Sequence, residues 1–514
     1  MTDQPAISED NKATMQKKDN VNESVKIKSG DLFSNFTLLN FLRPKSATKI
    51  PKEVTGKIQK PVIKNPAISK KPFTKSSISK KKIFIIILLF LFLIILLLLV
   101  AVAIRNKPEK TVGERGKITW WGQRDANLVQ PLIDKFEEEN PGVNVVYQKQ
   151  EPIDYRIRLQ NLIKKGQAPD IFTLHNTWAP MFRENLDVLP PSVMEKDRYN
   201  SIFYPAIISS LTSSKGIVGV PLGYDALVLY ISQDLFSTAF AQPPQTWDDF
   251  WQLADHLKDV YNDRIIQAGA AMGLTGNVEH WQEIIALLMI QNEVNLYQPA
   301  GQRAQAVLDY YTSFTGKKAK IWDETLPESV IAFANKKVAM ILAPTYRAND
   351  IRKINPDLRF YTVPVPQIPQ DQPENPDITY ATFWFEGVWN RSVNNDIAWE
   401  LLNFLTERDN LVELSNNYQA NGLIPEAFPR KDMRVLIKDN SILGSAVNLA
   451  DHSVSWFLAD DTSDGEGGIN SQLSSVFASG VTESLRGNKK SAEIVSGQLP
   501  SVLSKYGLVS SQTR

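Results

Sequence analysis

The chain contains no cysteine. Disulfides, thiolate zinc sites, iron–sulfur clusters and cysteine nucleophiles are therefore excluded. A membrane tether made by lipid on a cysteine is excluded with them. Histidine is almost as scarce. His175, His256, His280 and His452 are the four in the chain, none at metal-ligand spacing, and no HExxH occurs. GxSxG and Walker loops are missing as well. Gly465-Glu466-Gly467-Gly468 falls short of GxGxxG because Asn470 stands where the last glycine belongs. Asp460, Thr462, Asp464 and Gly465 follow part of a calcium-loop pattern. Ser471 occupies the place of its bidentate glutamate, so acidic side chains on a solvated loop are the ordinary reading. Nothing in the sequence points to a catalytic residue, a metal, a cofactor or a nucleic-acid partner.

Net charge is also nearly absent, at +1, but the near-zero sum conceals a split. Residues 1–82 hold 18 Lys+Arg against 7 Asp+Glu, and residues 105–514 hold 39 against 49. Between them Ile83–Ile104 runs for 22 apolar residues without a charge. At 1.5 Å rise per residue that is ~33 Å of helix, enough to cross a hydrocarbon core of ~30 Å. Lipid offers the backbone no partners, so an inserted run must be helical. Lys70, Lys71, Lys75, Lys80, Lys81 and Lys82 precede it. They place the N-terminus in the cytoplasm and the 410 residues that follow outside a single-pass cell-membrane anchor. Ala101-Val102-Ala103 resembles a cleavage site, but an 82-residue leader exceeds any signal-peptide n-region, so an uncleaved anchor is expected.

Residues 1–82 are rich in Lys, Ser, Pro and Asn, with too few clustered apolar residues to offset chain entropy. They read as a disordered basic tail beside anionic lipid. Phe33, Phe36, Leu38, Leu39, Phe41 and Leu42 offer a short interfacial helix or docking motif as the alternative. Residues 105–115 form a linker. From about Gly116 aromatic residues become frequent and periodicity appears. Lys117–Trp121 reads as a strand. Leu128, Leu132, Ile133 and Phe136 make a helical face opposed by Asp134, Lys135, Glu137 and Glu138, and Asn140-Pro141-Gly142 stops it. Val143–Tyr147 is the next strand, Tyr155, Leu159, Leu162 and Ile163 line the next helix, and Ile171–Leu174 is a third strand. This βαβαβ order predicts parallel strands with crossover helices. Thr246 and Asp249 predict a capping box ahead of the Phe250, Leu253, Ala254 and Leu257 stripe. The class is α/β, and about 400 residues exceed the size of one core, so two lobes are expected.

Several segments, in order, resemble the family 1 extracellular solute-binding proteins. They are ITWWG with DKFEEENPGVNVVY (Ile118 to Tyr147), GQAPDIF (Gly166–Phe172), GIVGVPLGYDALVLYISQDLF (Gly216–Phe236) and PPQTWDDF (Pro243–Phe250). FANKKVAMIL (Phe333–Leu342), VPVPQIP (Val363–Pro369) and DIAWELLNFLT (Asp396–Thr406) complete the series. The resemblance leaves out residues 1–104. It implies a two-lobed, periplasmic-binding-protein-like fold of type II. Lobe 1 would comprise about 116–222 and 367–422, and lobe 2 about 223–366 and 423–514. The chain would cross near Gly223, Pro366 and Leu423. It further implies a carbohydrate ligand in the cleft, delivered to the permease subunits of an ABC importer. An anchored carbohydrate-active enzyme, or a sensor or adhesin, is the alternative.

Open α/β sheets hold ligands at the carboxyl ends of their strands. Sugars call for aromatic faces and planar polar groups. By the resemblance, Gln123 and Arg124 stand where relatives carry a ligand-binding acid–base pair. Neither residue type is retained, so the bonding pattern must differ, and a plain strand-to-helix turn is the other reading. Arg124 leaves an anionic ligand such as a sugar phosphate open. After the third strand, Leu174 and Thr177 replace the family's contacts, and Asn176 and Trp178 are the candidates to substitute, with His175 structural. Tyr224 and Asp225 fall where relatives place a cleft carboxylate, against a hinge residue bonding backbone. Trp281, Tyr346, Trp384 and Trp456 fall in segments that supply aromatics, although burial alone explains many such rings.

Overall fold

The computed structural model describes residues 115–316, 318–369 and 376–508. All belong to one compact unit, residues 107–514. The basic tail, the Ile83–Ile104 run and most of the linker lie outside the described residues. Among the described residues no helix is long and apolar enough to cross a membrane.

The first lobe is built on a four-stranded sheet in the order Trp384–Val388, Ile171–His175, Gly116–Gly122, Val143–Lys149. The last three are parallel, as the alternation of strand and helix patterns requires. Trp384–Val388 is an antiparallel edge strand contributed from far along the chain. Helix Ala126–Glu139 buries Leu128, Val129, Leu132, Ile133 and Phe136 against this sheet and ends at Asn140, with Gly142 at φ +91°. Five such side chains contribute roughly 10 kcal/mol of gross hydrophobic stabilisation, before the entropy of ordering the chain. The neighbouring tryptophans of the first strand divide by the period-2 rule. Trp120 is 1% exposed, whereas Trp121 is only partly buried.

The second lobe carries a seven-stranded sheet. Its main path runs Ser453–Val454, Thr379–Thr382, Asp225–Ser232, Val338–Pro344, Arg264–Ala270, Asp259–Tyr261, with Phe360–Val363 also paired to Asp225–Ser232. Seven of the eight residues of Asp225–Ser232 are buried, and all seven of Val338–Pro344. That is why these strands read as continuous apolar runs rather than alternating ones. The capping box forms as the sequence predicts. Thr246 Oγ1 accepts from Asp249 N (3.1 Å), and Asp249 Oδ2 accepts from Thr246 N (3.2 Å).

Among the described residues, segments near residues 220–225, 382–386 and Ala427 run between the two sheets and are bonded to one another. Val220 and Glu386 exchange backbone hydrogen bonds (3.1 and 2.8 Å), and Tyr224 N donates to Ala427 O (2.8 Å). Thr382 pairs with Asp225 across the antiparallel ladder. The second crossing falls at Phe383, between Thr379–Thr382 in one sheet and Trp384–Val388 in the other, and not near Pro366. Pro366 and Gln367 stay with the second lobe because Gln291 Nε2 donates to Pro366 O (3.2 Å) and Gln367 N donates to Gln245 O (2.9 Å).

Candidate ligand-binding site

A cavity of about 580 Å³ opens beside these connections. Its walls come from the turn after Gly116–Gly122, the end of Ile171–His175, Gly223–Asp225, the turn after Val338–Pro344, Thr382–Trp384, Glu426 and Asp460–Thr462. In the first lobe this is the carboxyl end of the parallel strands, where open α/β sheets place ligands.

On the first-lobe wall, Arg124 is held by two carboxylates. Its Nε and Nη2 donate to Glu426 Oε1 (3.0 Å) and Oε2 (2.7 Å), and its Nη1 donates to Glu386 Oε1 (3.1 Å). Glu386 is 0% exposed and also accepts from Trp120 Nε1 (3.0 Å) and Thr173 Oγ1 (2.6 Å). Tyr418 Oη donates to Glu426 Oε1 (2.7 Å). Burial opposes charge on all three groups. Even so, Arg124 draws the Glu426 carboxyl below its ordinary range, and the acids hold the guanidinium above its own. For Glu386 burial wins and its pKa is raised. The packing explains Gly223, where a Cβ would lie 1.6 Å from Glu426 Oε2. The Arg124 charge is thus met by two carboxylates within the protein.

Asp225 faces the cavity from the first connection, but its oxygens serve the fold. Oδ1 accepts from Ala226 N (2.7 Å), Thr345 N (2.7 Å) and Thr345 Oγ1 (2.8 Å), and Oδ2 accepts from Tyr346 N (2.9 Å). Four acceptor positions are about what a carboxylate has. Burial raises its pKa to about 6 against the pull of these donors.

The second-lobe wall holds Tyr346, His280, Glu283, Asp350, Asp460 and Asp461. Arg347 Nε donates to His280 Nε2 (2.9 Å), which leaves the imidazole proton on Nδ1, 3.3 Å from Glu283 Oε1. Burial disfavours a second proton and Glu283 favours one, with the balance above the ordinary value. Arg347 already occupies the Nε2 lone pair, however, so it must move before His280 can gain that proton. Glu283 Oε1 also accepts from Asp460 N (2.9 Å), while its Oε2 has no hydrogen-bond partner among the described residues. Gln123 Nε2, on the opposite wall, likewise has none. Arg347 additionally meets Asp350 (3.0 Å), Asp461 (3.3 Å) and Glu279 (3.5 Å). In all, the cavity is lined by seven carboxylates (Asp125, Asp225, Glu283, Asp350, Glu426, Asp460, Asp461) and one arginine.

Of the residues singled out in the sequence, Gln123, Arg124, Tyr224, Asp225, Tyr346 and Trp384 come together around this cavity. Tyr346 is 37% exposed and Trp384 partly buried, with one edge against His175 (ring centroids 5.1 Å) and Trp178 (5.4 Å). Tyr224 is 1% exposed, packed on Tyr204. Trp178 is fully buried and Trp281 is 6% exposed. Neither lines the cavity, because each faces the core from a helical turn. Asn176 and Trp456 instead line a second cavity of about 430 Å³, with Tyr297 and residues 209–210 and 212–214. Asn176 is committed to hydrogen bonds with Phe383 N (3.2 Å) and Ser455 Oγ (2.7 Å). His175, read as structural, is buried and bonded through both nitrogens, to Thr177 Oγ1 (2.7 Å) and Thr382 Oγ1 (2.8 Å), and still touches the cavity wall. Asp464 is no solvated surface acid. At 2% exposure it accepts from Asn470 N (2.7 Å) and Ser471 N (3.2 Å), two of the otherwise free N–H groups in the first turn of helix Ile469–Leu485.

Sequence reasoning missed Tyr418, Glu426, His280 and Glu283. The first two sit beside the expected crossing at Leu423. The second pair flanks Trp281, with His280 just before helix Trp281–Gln291 and Glu283 in its first turn, within a run that reads as apolar.

Residues 131–433 match the family described as bacterial extracellular solute-binding protein, and the chain belongs to that family. The multiple sugar-binding protein of Streptococcus mutans is 22% identical over 285 residues, 51% of this chain and 65% of its own. The sugar-binding protein MalE of Xanthomonas citri superposes with a TM-score of 0.61 at 18% identity, over 78% of this chain and 100% of that one. An ABC transporter solute-binding protein of Thermotoga lettingae, bound with α-D-tagatose, gives 0.59 at 19% identity, over 76% and 100%. At these identities the structural likeness is one of fold.

Proposed function

We propose that this chain is the substrate-binding component of an ABC importer. Ile83–Ile104 anchors it to the outer face of the cell membrane, with its basic tail inside, and it binds a carbohydrate in the cleft for delivery to a permease. Family membership supports the binding role, and the two solved relatives above are named for sugars or carry one. The observation that carries the carbohydrate reading is the pair of aromatic rings on opposite walls, Trp384 from the first lobe and Tyr346 from the second. Gln123 and Glu283 line the same cavity, and among the described residues the shielded atoms Gln123 Nε2 and Glu283 Oε2 have no hydrogen-bond partner. Rings stack on the C–H faces of a sugar, and planar polar groups bond its hydroxyls. A ligand touching both walls favours the closed arrangement by the contacts it makes only there.

The test is thermal denaturation of residues 107–514 against a panel of mono- and oligosaccharides, with each mixture analysed for products. A sugar at about 100 times its Kd adds ~2.7 kcal/mol and raises Tm by a few degrees. Turnover of the stabilising sugar, or a panel without any stabiliser, would contradict the reading.

A further inference from the structure

We propose that the cleft selects carbohydrates bearing a protonated amine, with the ammonium seated against Glu283, and rejects anionic sugars. This rests on the carbohydrate reading above and narrows it. Every lysine and arginine near the cavity is already paired inside the protein: Arg124 with Glu386 and Glu426, Lys149 with Asp125 (2.6 Å), and Arg347 with Glu279, Asp350 and Asp461, while His280 Nδ1 meets only the Oε1 oxygen of Glu283 (3.3 Å). None is left to meet a ligand phosphate or carboxylate. The second-lobe wall presents four carboxylates, Glu283, Asp350, Asp460 and Asp461, and Asp460 accepts from His280 N (2.9 Å) and Gln282 Nε2 (3.2 Å), both neutral donors. Glu283 is 1% exposed, lines the cavity, and its Oε2 has no partner among the described residues. A buried carboxylate oxygen without a donor is costly, and a charged donor relieves that cost more than a hydroxyl does. Among the described residues no group of His, Asp and Glu is arranged to hold a metal ion, so the geometry points to an organic cation. The neighbouring ring of Tyr346, which already has the Arg347 guanidinium 5.0 Å from its centroid, adds a cation-attracting π face.

The experiment is calorimetric titration of the full chain in detergent with three oligosaccharide series of equal length, built from glucosamine, N-acetylglucosamine and galacturonate. The amine series is expected to bind about tenfold tighter than the neutral one and the uronate series about tenfold weaker. The amine preference should shrink as salt is raised. Glu283→Gln should abolish it, and the more exposed Asp461→Asn, which removes one of the three carboxylate partners of Arg347, should reduce it. Equal binding of amine and neutral series, unchanged by either variant and by salt, overturns the inference while leaving the carbohydrate reading standing. Tighter binding of the uronates overturns it outright. Failure of all three series to bind, together with the neutral panel above, defeats the carbohydrate reading itself.

Discussion

Arg124 and Glu426 form a two-pronged ion pair across 302 residues of sequence, with N···O distances of 3.0 and 2.7 Å. The pair ties the turn after the first strand to the third connection between the lobes. Glu386 completes it from a fully buried position. Removing the cation leaves Glu386 ionisable and unmatched in the core. Arg124→Ala is therefore expected to cost about 3–5 kcal/mol in denaturant titration. Adding Glu386→Gln should recover part of that loss, since the amide oxygen still accepts from Trp120 and Thr173. Strict additivity of the two changes would show that the groups are not coupled.

Asp225 spends its carboxylate on hydrogen bonds within the protein. Its carboxylate joins strand Asp225–Ser232 to the turn after Val338–Pro344 through the backbone N–H groups of Thr345 and Tyr346. From sequence, Asp225→Ala is expected to weaken ligand binding while sparing the fold. The structure changes that expectation to a stability loss of about 2–4 kcal/mol, because three backbone donors (Ala226, Thr345 and Tyr346 N) and the Thr345 hydroxyl lose their acceptor. Asp225→Asn, which keeps one acceptor, should lose less. A wild-type melting curve for Asp225→Ala would restore the purely ligand-binding role.

His175 makes folding sensitive to acid. Burial lowers its pKa to about 3 from an ordinary 6.5. The unfolded chain therefore binds a proton below pH 6.5 that the folded chain refuses until about pH 3, so stability falls as pH drops through that window. Between pH 6.5 and 5 the loss amounts to about 2 kcal/mol. Asp225 works in the opposite sense, since its raised pKa makes the folded form gain stability as pH falls from about 6 toward 3.8. The Asp225 contribution is common to both proteins, so relative to wild type His175→Gln should favour the folded state at pH 5 over pH 6.5 by about 2 kcal/mol, and urea titrations at both pH values measure that difference. A variant with the same slope as the wild type would remove His175 as its source.

The two aromatic walls differ in what they do for the fold. Tyr346→Ala removes a ring that is 37% exposed but rests on His280 and Arg347, and should weaken carbohydrate binding about tenfold with a smaller fall in Tm than Trp384→Ala. Trp384→Ala should weaken binding comparably and also lower Tm, because its ring packs on His175 and Trp178. Fluorescence titration alongside melting curves separates these effects. Unchanged affinity in both variants would detach the rings from the site.

The proposed anchor has its own test. The full chain should sediment with membranes and resist alkaline extraction, whereas residues 105–514 should not. Recovery of the full chain in the soluble fraction would rule out the Ile83–Ile104 anchor.

The first sheet was readable because each strand and helix announces itself by period within a few residues, as the Leu128–Phe136 face does. Its fourth strand, Trp384–Val388, was hidden by distance: it joins Ile171–His175 across more than 200 residues. The second crossing was misplaced for the same reason, since the bonds from Gln245 and Gln291 that keep Pro366 and Gln367 in the second lobe are long-range. In the site, turns that directly follow strands were found from sequence, among them Gln123, Arg124 and Tyr346. Trp178 and Trp281 were not separable from cleft aromatics, because a tryptophan's facing depends on tertiary packing. Glu283 and Glu426 carry no local signal. They become informative only when the fold brings an arginine, or an absence of partners, beside them.

The most direct test of the central claim is a crystal structure of residues 107–514 with the sugar that stabilises them best. The account predicts density in the cavity between Trp384 and Tyr346, within hydrogen-bonding distance of Gln123 Nε2 and Glu283 Oε2. Sugar density confined to the second cavity, against Asn176 and Trp456, would contradict it.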